Sequence, residues 1–175
     1  MEIRTAAEQH IEVHKFHTGA VVGAAVVALV LQAFLPKYIP RVQGFLELPL
    51  LVTVYFGLSR RNPSTGLLLG MVIGLSQDAL SKSNSPIGLY GIAKTFVGFV
   101  ASSIGARLDT EHPLSRFMLA FISFQFQQAV IVLTKRVLLA QPEVFLSKSL
   151  LIASLINAVL AIALFPLLDR LRKPS

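Results

Sequence analysis

Apolar residues run along this chain in six stretches, each closed by charges, prolines or both. They are read as spans at residues 18–35, 43–58, 64–81, 87–106, 114–134 and 148–166. The predicted fold is therefore an all-α integral membrane protein, with about six transmembrane helices in one bundle occupying residues 18–168. Pro36 is expected to stop the first span and Pro166 to end the sixth. The second stretch is short against the ~20 residues that cross a bilayer core. It reads equally as a span starting near Val42, as one tilted behind Glu47 and Pro49, or as an irregular entry. Residues 1–17 are polar, with Ile3, Ala7 and Ile11 at four-residue steps, and form either a loose tail or a short interfacial helix. Residues 169–175 form a basic tail. The first apolar run is not followed by a small-residue cleavage site, so it is expected to be retained.

Residues 66–105 organise the rest. Gly66, Gly70, Gly74 and Asp78 are each four residues apart and so share one helical stripe. Gly91, Lys94, Gly98 and Gly105 share a face of the following helix in the same way. Small residues at that spacing let helices approach closely in lipid, where apolar bulk gives no drive to associate. The prediction is a tightly packed transmembrane hairpin with one formal charge on each stripe. Ala20, Ala24 and Ala28 make a further small-residue stripe on the first span.

Composition agrees with a membrane protein. Of 175 residues 54% are hydrophobic and 14% charged, against the ~25% charge of soluble domains. Mean hydropathy is +0.67. The net charge of +7 comes from Lys and Arg that flank the spans, which argues against a nucleic-acid partner. On a six-span topology nine of the sixteen basic residues lie on the side of both termini and six on the other, leaving Lys94 within a span. That bias favours cytoplasmic termini. There is no Cys, which excludes disulfides and thiolate chemistry.

Polar groups within the spans need a partner or a task, because a charge near the bilayer centre costs at least ~2.5 kcal/mol. Asp78 and Lys94 are expected to pair across the hairpin and fix its register, or else to meet a partner or substrate. A proton relay ranks last, since it needs a chain of acids and Asp78 is the one carboxylate read within the spans. Gln125, Gln128 and Asn157 are expected to bond across helices. His10, His14 and His17 share a helical face, but only Glu8 or Glu12 lies near to complete a metal site, and a solvated tail is the expectation. No catalytic motif or cofactor-binding loop is present, so an enzyme is the weakest class of reading.

One resemblance adds to this. Leu48, Pro49, Tyr55, Arg60, Arg61 and Pro63 are followed by the Gly66–Gly70–Gly74–Asp78 stripe. Ser85, Pro86, Gly88 and Leu89 come next, and then Lys94 to Gly98. This order resembles the family of the bacterial rod shape-determining protein MreD. The resemblance implies a non-enzymatic inner-membrane component of the cell-elongation machinery, without cofactors. It would associate with MreC and through it with MreB and the complex of RodA with a penicillin-binding transpeptidase. Asp78 would be the functionally sensitive position. That family is in turn said to be similar to the six-helix substrate-binding subunit of energy-coupling-factor vitamin transporters. This supplies an alternative function, in which the Ala20–Ala24–Ala28 stripe would dock a coupling subunit.

Overall fold

The computed structural model describes residues 16–39, 44–60, 62–81, 86–105, 112–141 and 147–172. The expected helix or tail before Phe16, with His10 and His14, lies outside the described residues, as do the charged loop at 107–111 and the last three residues of the basic tail. Six helices account for the described chain: α1 Thr18–Tyr38, α2 Leu48–Arg60, α3 Pro63–Leu80, α4 Leu89–Gly105, α5 Pro113–Leu138 and α6 Lys148–Asp169. The fold is an all-α membrane bundle.

Local chemistry sets the helix starts. Pro63 and Pro113 open α3 and α5, where the missing N–H would have had no helical partner and the fixed φ is already helical. Asn62 Oδ1 accepts from the backbone N–H of Ser64 at 3.1 Å and Thr65 at 3.3 Å. Ser147 Oγ accepts from Leu150 N–H at 3.3 Å at the start of α6. These side chains satisfy amides that the first turn leaves free.

The prolines at the far ends behave differently from expectation. Pro36 and Pro166 lie inside α1 and α6, which continue to Tyr38 and Asp169. A proline in the last turns forfeits one backbone bond without breaking the remainder, and membrane helices tolerate it.

α1, α5 and α6 are long and apolar enough to cross a membrane, and α2 and α4 are shorter apolar helices. α2 sits in the middle of the bundle, with every residue from Pro49 to Ser59 buried. Its 13 residues rise only ~20 Å, short of a ~30 Å hydrocarbon core. Residues 44–47, which precede it, are irregular. The helix of the second apolar stretch thus starts behind Glu47, after an irregular segment. Non-helical backbone at membrane depth must be buried in protein, and α1, α3, α4, α5 and α6 all pack around α2.

Where the first and last described residues meet, Phe16 pairs its backbone with Arg172 in an antiparallel bridge. Its ring stands edge-on to Tyr55 and Phe56, with centroids 5.9 and 5.3 Å away. The same core holds Phe165 of α6 and, from α1, Val21, Ala25, Ala28 and Leu29.

Candidate functional site

The α3–α4 hairpin is built backbone against backbone. A Cβ on Gly70 would run into the carbonyl oxygen of Lys94 and stand 2.7 Å from its carbonyl carbon. On Gly74 it would strike the Tyr90 carbonyl oxygen, with Gly91 Cα at 2.7 Å. Gly66 faces the Gly98 carbonyl and Ser102, and Gly98 faces the Gly66 carbonyl. The helices run antiparallel, and only glycine allows the approach. Gly91 is looser, since the groups nearest its open side are the Leu75 side chain at 2.7 Å and Asp78 Oδ2 at 3.6 Å. Gly105 faces Leu58 of α2 instead of α3, so the expected stripe from Gly91 to Gly105 changes partner along its length. Within α4, Thr95 and Ser102 donate to the carbonyls of Gly91 and Gly98, both at 2.7 Å. Each hydroxyl is thereby satisfied inside its own helix.

Asp78 and Lys94 are both buried, but they do not pair with each other. Asp78 caps α4: Oδ2 accepts from Gly88 N–H at 3.0 Å and Gly91 N–H at 2.9 Å, and Oδ1 accepts from Tyr90 N–H at 3.2 Å. The cause is positional. Asp78 ends α3 as α4 begins, where free N–H groups and the positive end of the helix dipole attract a carboxylate. Gly88 makes the entry possible with a φ of +107°, a conformation costly for any side chain. Asp78→Ala is expected to lower stability by about 1–2 kcal/mol, with Asp78→Asn recovering part of the loss as a neutral cap. Thermal unfolding in mild detergent measures both.

Lys94 is fully buried and meets a different carboxylate. Its ammonium is 3.2 Å from Glu47 Oε2, donates to Gln127 Oε1 at 2.9 Å and lies 4.8 Å over the Tyr90 ring. Gln77 Nε2 donates to the same Glu47 oxygen at 3.3 Å. Glu47, 6% exposed, is thus a second carboxylate inside the bundle, contrary to the reading of Asp78 as the only one. Four elements converge here: the irregular approach to α2, then α3, α4 and α5.

That approach is held by side chains from both flanks. Asn157 of α6 accepts from Glu47 N–H at 2.9 Å and donates to the Phe45 carbonyl at 2.7 Å. Gln32 of α1 donates to the Leu46 carbonyl at 2.8 Å and accepts from Leu48 N–H at 3.1 Å. Two amides therefore supply the bonds that a missing first turn of α2 would have made.

A second polar cluster closes the terminal end. Asp169 accepts from Tyr55 Oη at 2.7 Å and pairs with Arg116 and Arg172, each at 2.6 Å. Tyr55→Phe is expected to cost about 1 kcal/mol, since two guanidinium groups still satisfy the carboxylate. Detergent melting reads this as a small downward shift.

The remaining candidates divide. Asn157 does bond across helices, as expected. Gln125 and Gln128 are half-buried, and their side chains make no hydrogen bond among the described residues. The glutamine of α5 that joins the network is Gln127, on the face with Phe124 and Ile131. Ala28 is buried and Ala24 packs on the core, with Ala20 half-buried. The stripe thus turns Ala24 and Ala28 toward the core and leaves Ala20 and Ala24 partly open. Sequence reasoning missed Glu47, Gln77, Gln127 and Gln32. Glu47 had a signal, as a carboxylate within an apolar run, and such a residue is a functional candidate by default.

Among the described residues no cluster of three His, Asp or Glu side chains forms a metal site. What the arrangement supports chemically is the fixing of helix positions. Residues 14–173 match the family described as rod shape-determining protein MreD. No curated protein and no solved structure matches the chain.

Proposed function

The chain belongs to the family of the rod shape-determining protein MreD, and on that premise we propose that it is a non-enzymatic component of the cell-elongation complex in the bacterial inner membrane. Both termini lie in the cytoplasm, as the distribution of Lys and Arg favours. The protein binds MreC, and directly or through it RodA, the elongation transpeptidase and MreB, so that lateral peptidoglycan synthesis follows the cylinder wall. The family match over nearly the whole chain carries this reading. The glycine seams and the Glu47–Lys94 network support a mechanism of shape, in which a rigid bundle presents lateral helix faces to its partners.

The test is purification of the tagged protein at native abundance in mild detergent, followed by mass spectrometry. Recovery of MreC, RodA and the transpeptidase is the expected result. Recovery of paired ATPases with a transmembrane coupling subunit instead would overturn the reading in favour of vitamin uptake.

A further inference from the structure

The Glu47–Lys94 cluster contains two polar atoms that the protein does not satisfy. Gln77 Oε1 and Gln127 Nε2 are enclosed and have no hydrogen-bond partner among the described residues. Gln127 is 0% exposed and Gln77 4%. Neither amide can be turned round to remove the problem. Turning Gln127 would point its NH2 at the Lys94 ammonium, a donor against a donor. Turning Gln77 would set its carbonyl against the Glu47 carboxylate, an acceptor against an acceptor. The ion pair therefore fixes both orientations and leaves one donor and one acceptor over.

Leaving such groups dry is costly in an apolar interior, and more so within a bilayer. Lys94 cannot relieve either group, because its donors are directed to Glu47, Gln127 and the Tyr90 ring. A cation would be repelled by Lys94 and an anion by Glu47. The ligand that fits is small, neutral, and both donor and acceptor.

We propose that this cluster is a hydration site, where internal water donates to Gln77 Oε1 and accepts from Gln127 Nε2. Of the four hydrogen-bonded side chains Glu47 is the least sealed, the Tyr90 ring beside Lys94 is only half-buried, and the two together mark the side from which water enters. Water there satisfies both amides while the Glu47–Lys94 contact continues to hold the helix positions.

Two measurements on the intact protein in lipid nanodiscs decide it. Hydroxyl-radical labelling by X-ray radiolysis is expected to modify fully buried Lys94 several-fold faster than Phe56. That ring is equally buried and intrinsically more reactive, but lies in the apolar core beside Phe16 and Tyr55. Lys94 labelled no faster than Phe56 would overturn the proposal. An experimental map that resolves solvent should show density within hydrogen-bond distance of Gln77 Oε1 and Gln127 Nε2. Direct protein partners for both atoms would overturn it as well.

Discussion

Lys94→Met is expected to destabilise the bundle by about 3–5 kcal/mol, the range found when one member of a buried ion pair is removed. The substitution nearly preserves side-chain volume, so packing is not the cause. It strips Glu47 of its counter-charge and leaves Gln127 Oε1 without its donor. Glu47→Leu should cost a similar amount, because it isolates a fully buried ammonium. The double variant is expected to be more stable than either single one, since no charge is then left alone in the core. It should not return to the wild-type value, because Gln77 and Gln127 lose partners that Leu and Met cannot replace. Thermal unfolding of all four proteins in one detergent gives the coupling. Strict additivity of the single effects would show that the pair contributes nothing as a pair.

Gly70→Leu should be the most damaging change on the hairpin. Even an alanine Cβ at this position overlaps the Lys94 carbonyl, and backbone cannot move aside as a side chain does. Overpacking a well-packed interior costs about 1–3 kcal/mol, and a leucine must force the two helices apart. Separation also pulls α4 away from Asp78 and Lys94 away from Glu47, so the loss spreads to both polar sites. Gly91→Ala is the contrasting control, because the atoms that would clash there belong to the Leu75 side chain, which can turn, and Asp78 Oδ2 stands at ordinary contact distance, 3.6 Å. Folded yield and melting temperature in mild detergent should rank wild type above Gly91→Ala and Gly91→Ala well above Gly70→Leu. Equal stability of the last two would remove the basis for a close-packed seam.

Much of this architecture is legible in the chain because lipid imposes few choices. Apolar runs of sufficient length must be helices, and glycine at four-residue spacing marks where two of them touch. Gly66, Gly70 and Gly74 could be placed on the seam from spacing alone. The partners of the charges could not. Asp78 and Lys94 sit on facing stripes, which made them the natural pair, but sequence spacing does not show that Asp78 lies level with the free amides of α4. Glu47 was obscured because its stretch is too short for an ordinary span. Its burial depends on α2 being enclosed by the other five helices, which no local pattern reveals. Gln127 instead of Gln125 or Gln128 was a matter of helix rotation, and a helix apolar over much of its circumference gives little sign of which side faces inward.

On the proposed function, partners read the lateral helix faces of the folded bundle, and the buried Glu47–Lys94 pair serves only to hold those helices in place. The direct measurement is MreC recovery with the Glu47→Leu, Lys94→Met double variant, purified as a folded protein and compared with wild type at equal abundance. Retained MreC is the predicted result, because the pair lies inside the bundle and acts only through helix positions. A folded double variant that brings down no MreC would contradict the account and make the charges themselves part of recognition.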